Sequence, residues 1–365
     1  MTKIIKILIF LVTLISLLII IGCSTSTTTS KSAQVNVYVG SEGLTAEFAK
    51  TAPPPRVFEQ SSFPILIKIR NKGAFDIPPP APGSESWKFG VLAIGVEKDY
   101  VTKLSFENTP RVFRRSYDNQ IEFAIDGKTK INPKGSEEVI PITATTGKLD
   151  PQSENKESTI TATLCYPYQT LLSTTVCIDS DVGELRPTSK KACKVKELVF
   201  NTGQGAPIAV TKIEPQMIQE GDVVKPQFLI FIENKGKGNP VDINSYTNVC
   251  GKVDFNDPQR KEGISNIWNV AFLRAYTSGK GVGDRGIQIV CCPNIDGQCP
   301  ENDNNPDKIA GFIRFRDKKD FVRCTFKDGV KKTDDAFSSP LRIEIDYGYV
   351  QTIADTFLIQ KPIKY

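Results

Sequence analysis

The chain contains no histidine among its 365 residues. That removes the Ser-His-Asp triad, the Cys-His pair and every imidazole metal ligand, and with them many hydrolase and metalloenzyme mechanisms. The remaining chemistry rests on thiols and carboxylates. Cys291, Cys292 and Cys299 lie close together, as thiolate ligands of zinc would, but no CxxC pair accompanies them. Disulfides are the expectation there, not a metal site. Asp296, Glu301, Asp303 and Asp307 crowd one asparagine-rich stretch. Oxygen ligands at that density suit calcium, with Asp296, Asp303 and Asp307 as the candidates. Their spacing departs from the EF-hand pattern, so a solvated loop stapled by cysteines is expected instead. Two facing carboxylates could hydrolyse a glycoside, yet nothing singles out two of the scattered Asp and Glu residues. The expectation is no catalytic residue, no cofactor and no enzyme; a carboxylate-based hydrolase is the last alternative.

Other residues suit recognition rather than reaction. Thr277-Ser-Gly-Lys-Gly-Val-Gly-Asp-Arg-Gly286 is glycine-rich but lacks the spacing of a phosphate loop, and reads as a hairpin loop. Tyr166 with Tyr168, and Tyr347 with Tyr349, stand two apart on β-type segments and share a face. Packing is favoured for them over a ligand platform. Trp87, Trp268 and the segment Arg111-Val-Phe-Arg-Arg-Ser-Tyr117 are a second possible recognition surface, against core tryptophans and a solvated basic loop. The formal net charge of +5 gives no ground for nucleic-acid binding.

The elements that must position these residues begin with an export signal. Met-Thr-Lys-Ile-Ile-Lys precedes an apolar run from Ile7 to Ile21, too short for a comfortable membrane span. It ends Ile20-Ile21-Gly22-Cys23-Ser24. This resembles the lipobox of prokaryotic lipoproteins, which implies cleavage before Cys23 and a diacylglycerol on its sulfur. The alternative is an uncleaved membrane anchor over 1–22. Either places the rest outside the cytoplasm, anchored to membrane lipid at the cell surface. Residues 23–33 are a Ser/Thr-rich tether. Of nine cysteines, setting Cys23 aside leaves Cys165, Cys177, Cys193, Cys250, Cys291, Cys292, Cys299 and Cys324. An even number in an exported chain predicts up to four disulfides.

An internal duplication organises the remainder. Phe63-Pro-Ile-Leu-Ile-Lys-Ile-Arg-Asn-Lys-Gly73 matches Gln227-Phe-Leu-Ile-Phe-Ile-Glu-Asn-Lys-Gly236. In each, an apolar strand is closed by residues that tolerate a positive φ. Later, Ile160-Thr-Ala-Thr-Leu-Cys-Tyr-Pro-Tyr-Gln-Thr170 matches Ile343-Glu-Ile-Asp-Tyr-Gly-Tyr-Val-Gln-Thr352 through its Tyr-x-Tyr. The second interval is the longer, and the Cys-rich stretch from Cys291 to Asp307 is the candidate insertion. Period-2 segments separated by Pro, Gly, Asn and Asp predict an all-β fold of two tandem sandwiches: 34–179, a connector over 180–205, and 206–365. A short helix near Ile264–Arg274 is the one exception considered. The pattern resembles the immunoglobulin-like adhesion and CARDB-type domains of archaeal and bacterial surfaces, carried by the strand ending Asn-Lys-Gly and the late Tyr-x-Tyr strand. Pro167 interrupts the first Tyr-x-Tyr and predicts an edge or bend there.

Cysteine parity places the domain boundary ahead of Cys193, leaving two cysteines before it and six after. Cys165–Cys177 is then favoured, as neighbours in a hairpin centred near Leu171; Cys177–Cys193 is the alternative, and the other pairings stay open. The function expected is a structural, adhesive or envelope-assembly role. The alternative is a ligand- or glycan-binding module using second-domain loops, with another envelope protein or a glycan as partner.

Overall fold

Period-2 alternation builds this protein. In Ser62–Asn71 the residues Phe63, Ile65, Ile67 and Ile69 all face inward and are buried, while Lys68 and Arg70 face out. In Val223–Asn234 the inward set is Val224, Phe228, Ile230 and Ile232. Side chains on one face of each strand meet the core and those on the other meet water or a neighbour. The computed structural model describes residues 36–78, 89–107, 112–114, 119–181, 183–184, 191–250, 266–277, 287–299 and 308–362. Cys23, the apolar segment and the tether lie outside these residues, as does Trp87.

The first half supplies β1 (Leu44–Phe48), β2 (Arg56–Phe58), β3 (Ser62–Asn71), β4 (Gly90–Val96), β5 (Val101–Phe106), β6 (Val112–Arg114), β7 (Gln120–Phe123), β8 (Glu137–Thr146) and β9 (Asn155–Ile178). The second half supplies β10 (Leu198–Val199), β11 (Ile208–Glu220), β12 (Val223–Asn234), β13 (Asn239–Val241), the short helix α1 (Tyr246–Cys250), β14 (Val270–Thr277), β15 (Ile287–Cys292), β16 (Gly311–Arg314), β17 (Lys319–Thr325), β18 (Val330–Lys331) and β19 (Phe337–Gln360). The fold is nearly all-β, and its sheets are almost wholly antiparallel; β2 beside β19 is the parallel exception. Of the helix considered near Ile264–Arg274, Asn266 and Ile267 are helical, and from Val270 the segment is strand β14, whose Val270, Ala271, Leu273 and Ala275 are buried.

β1, β3, β8 and β5 form one four-stranded sheet. The remaining strands join in a second, larger sheet whose spine is β9 against β19. These two strands are 24 residues each and pair along their whole length. The start of β9 and the end of β19 serve the first half, where Phe63 of β3 packs on Phe357 of β19 with ring centroids 4.9 Å apart. The end of β9 pairs with the start of β19, which also pairs with β14 of the second half. The two expected units therefore share a sheet and one buried cluster, and residues Asn36–Tyr365 form a single compact unit. β15 turns a corner: Ile287–Ile289 pair with β14, and Val290–Cys292 pair with β17.

This continuity corrects the expected Cys165–Cys177 bridge. Both residues lie on β9, where twelve extended residues span roughly 40 Å, and no hairpin interrupts the strand at Leu171. The bridges are Cys165–Cys250, Cys177–Cys193, Cys291–Cys324 and Cys292–Cys299. Cys165–Cys250 ties β9 of the first half to α1 of the second, and Cys177–Cys193 ties β9 to the connector, so both bridges cross a boundary placed ahead of Cys193 and the expected two-and-six division of cysteines does not hold. Pro167 pairs with Gly348 at the point where β4 has already ended its pairing with β9 at Cys165. On that side the proline's missing N–H deprives no strand of a hydrogen bond.

Candidate functional site: a groove beside the cysteine-rich loop

The four tyrosines mark the centre of the molecule. Tyr166 pairs across the spine with Tyr349 and Tyr168 with Tyr347. Their rings close a square, with centroids 5.7 Å apart for Tyr166–Tyr168 and Tyr166–Tyr349, 6.3 Å for Tyr168–Tyr347 and 6.2 Å for Tyr347–Tyr349. All four are buried. They pack, and none offers a face to a ligand. Burial pushes every one of these phenols above the ordinary tyrosine range, that of Tyr349 to about 12.

Two of the hydroxyls dock the Asn-Lys-Gly turns in the same way. Tyr168 Oη donates to Asn71 Oδ1 at 3.0 Å, and Tyr349 Oη lies 3.0 Å from Asn234 Oδ1. Each asparagine oxygen also accepts the glycine N–H two residues on, from Gly73 and from Gly236, at 3.1 Å. Each asparagine amide donates to a carbonyl four residues on, at Phe75 (2.8 Å) and Gly238 (2.9 Å). A Cβ on Gly73 or Gly236 would overlap the buried tyrosine hydroxyl, so only glycine fits. The other two hydroxyls differ. Tyr347 Oη accepts the Ile208 N–H at 3.5 Å and lies 3.1 Å from Thr170 Oγ1, which itself donates to the Ile208 carbonyl at 2.7 Å. Tyr166 Oη has the Leu44 backbone beside it, whose polar contact partly offsets burial, but makes no hydrogen bond of normal geometry among the described residues. Gln351 stands where the other half has Thr170, and a cavity of about 90 Å³ lies between Gln351 and Tyr166.

A broad concavity lies in the second half, where the chain leaves β15. It is a groove of about 830 Å³. One wall is Pro293–Gly297, the start of the Cys-rich stretch. Cys292–Cys299 clamps its base. The buried Asn294 stiffens it: Asn294 Oδ1 accepts the N–H groups of Asp296 at 3.1 Å and Gln298 at 2.8 Å. The Pro293 carbonyl accepts the Phe312 N–H at 2.6 Å. Ile295 is left 57 % exposed.

The opposite wall is a hairpin whose strands part. Arg316 and Lys319 exchange two backbone hydrogen bonds of 3.0 and 2.9 Å across Asp317 and Lys318, whose φ of 48° and 66° fit a turn of the primed kind. β16 then pairs with β14, whereas β17 pairs with β12. The floor between them is aromatic. Phe231 and Phe321 pack at 5.8 Å and Phe272 and Phe312 at 5.5 Å, and Phe321 is 48 % exposed. Arg314 lies over the Phe312 ring at 5.5 Å, and Arg316 and Lys319 complete a basic rim.

Only part of the expected recognition set is brought together here. Asp296 lines the groove; Asp303, Asp307 and Glu301 lie outside the described residues. Among the described residues no group of three or more Cys, Asp or Glu is placed to hold a metal. Trp268 is bridged to Val241 beside α1, away from the groove. Val112–Arg114 are strand β6, and the rest of the Arg111–Tyr117 segment lies outside the described residues. So does 278–286 of the glycine-rich loop. Phe231, Phe321, Phe312 and Arg314 were not singled out by sequence. The signal for the first lies in Phe228-Leu-Ile-Phe-Ile232, a strand apolar on both faces although only one meets the core.

Comparison with protein-family models finds no match, and comparison with curated proteins finds none. Among solved structures, the chain is similar to the C-terminal domain of the Streptococcus pyogenes antigen I/II-family protein AspA, at 6 % identity over 89 % of this chain and 100 % of that one. The TM-score is 0.20, too low to equate the two topologies.

Proposed function

We propose that the chain is a non-catalytic, extracytoplasmic surface protein of a prokaryote, its domains resembling those of archaeal and bacterial surfaces. In this reading Cys23 carries a lipid anchor, and two immunoglobulin-like sandwiches fused through β9 and β19 give a structural or adhesive role. The observation that carries it is the cysteine pairing. All eight cysteines from Cys165 onward are bridged in the structure, as an oxidising compartment allows. That leaves Cys23 as the one thiol to acylate. Among the described residues no helix is long and apolar enough to cross a membrane. The fused spine suits a load-bearing part, because pulling the halves apart must break a 24-residue ladder and the Cys165–Cys250 bridge.

The test is membrane fractionation of Cys23→Ala cells. Release of the folded protein into the soluble extracytoplasmic fraction is expected. Retention in the membrane fraction after a carbonate wash would overturn the lipid anchor.

A further inference from the structure

β17 is an incomplete edge strand. On one side it pairs with β12 from Lys319 to Thr325. On the other it pairs with β15 only from Arg323 to Thr325, because β15 ends at Cys292 and the chain turns away at Pro293. Among the described residues, the edge from Asp320 to Val322 therefore has no strand partner opposite β12. The groove lies where β15 would have continued, and Lys319, Asp320 and Phe321 line it.

Two further features define what would fill this gap. The exposed Phe321 and Ile295 offer apolar contact on either side of it. Arg314, Arg316 and Lys319 supply cationic heads, and among the described residues none of the three has a carboxylate within ion-pair distance. Among the described lining residues the carboxylates are Asp296 and Asp320, and Asp320 already accepts the Arg314 backbone N–H at 2.7 Å. An open strand edge calls for a polypeptide backbone, since added strands gain their main-chain hydrogen bonds from such edges. The basic rim calls for negative charge on that polypeptide.

We propose that the groove docks an extended acidic segment of a partner polypeptide, added as a short strand beside β17. Its apolar side chains lie on Phe321, Phe312 and Ile295, and its carboxylates meet Arg314, Arg316 and Lys319. The proposal rests on the extracytoplasmic adhesive reading only for where the partner is found; the docking itself is independent of the anchor.

The experiment uses the full-length oxidised chain in detergent and fluorescence polarisation. The probe is a short labelled peptide alternating valine with glutamate. Its comparators are the valine–lysine counterpart, the same acidic peptide N-methylated at alternate amides, and polygalacturonate as competitor. The acidic peptide binds, the lysine peptide does not, and N-methylation abolishes binding. Arg314→Ala and Arg316→Ala each weaken binding about three- to fivefold, and about tenfold together, as partly exposed ion pairs do. Circular dichroism verifies that the variants keep the wild-type fold, and Lys225→Ala, at a distant ion pair with Glu220, leaves affinity unchanged. The proposal is overturned if the lysine and acidic peptides bind alike, if N-methylation has no effect, or if only polygalacturonate binds. Failure here with Cys23→Ala still releasing the protein would remove the docking site and leave the anchor standing.

Discussion

The tyrosine square makes a prediction in which three chemically identical substitutions have unequal effects. Tyr349→Phe removes a hydroxyl that accepts the buried Gly238 N–H at 3.0 Å and shares its proton between Asn234 Oδ1 and the Gly238 carbonyl, both at 3.0 Å. An orphaned buried donor costs about 1–3 kcal/mol. Tyr168→Phe removes one donation to Asn71, whose oxygen keeps the Gly73 N–H, so a loss nearer ~1 kcal/mol is expected. Tyr166→Phe removes a buried hydroxyl that makes no hydrogen bond of normal geometry among the described residues. The variant sheds a desolvated group and is neutral, or more stable by up to ~1 kcal/mol. Gln351→Thr, copying the Thr170 arrangement of the other half, gains about 1 kcal/mol if the threonine reaches Tyr166 as Thr170 reaches Tyr347. The assay is equilibrium urea unfolding of the oxidised protein by far-ultraviolet circular dichroism, with ΔΔG read from midpoints at a common slope. If Tyr166→Phe costs as much as Tyr349→Phe, Tyr166 has a partner and the reasoning fails.

Two other predictions concern the spine. Replacing both Cys165 and Cys250 by serine opens a crosslink across 85 residues, and loop-closure entropy sets an expected loss of about 4–5 kcal/mol in the same urea assay; a loss below ~1 kcal/mol would show that the ladder alone holds the halves. Burial pushes the Asp346 carboxyl above its usual value, against the lowering effect of the Gln169 amide and Arg274. Because the folded pKa is raised, the contribution of this group is present below the unfolded pKa of about 3.9 and is lost as pH rises through the folded value. Asp346→Asn should flatten that acid-range decline; an unchanged slope would contradict it.

Much of this architecture was legible because local patterns carry it. The Asn-Lys-Gly triplets mark strand ends since only glycine fits under Tyr168 and Tyr349, and the Tyr-x-Tyr spacing puts both rings of each pair inside. The long spine was not legible. Pro167 and Gly348 look like interruptions, and only their mutual pairing lets β9 and β19 run on. The favoured Cys165–Cys177 pairing failed for the same reason, since sequence spacing says nothing of whether two cysteines share one extended strand, whereas the alternative Cys177–Cys193 is the bridge observed. The groove depends on β15 ending at Cys292 while β17 continues to Lys319, an offset between strands distant in sequence. No local pattern records such an offset.

The most direct test of the central claim is mass spectrometry of the protein purified from native membranes, alkylated without reduction and then digested. The account predicts an N-terminal peptide that begins at a diacylglycerol-modified Cys23, no alkylated cysteine, and crosslinked peptides joining Cys165 to Cys250, Cys177 to Cys193, Cys291 to Cys324 and Cys292 to Cys299. An intact Met1 peptide with Cys23 alkylated, or free thiols among the other eight, would contradict it.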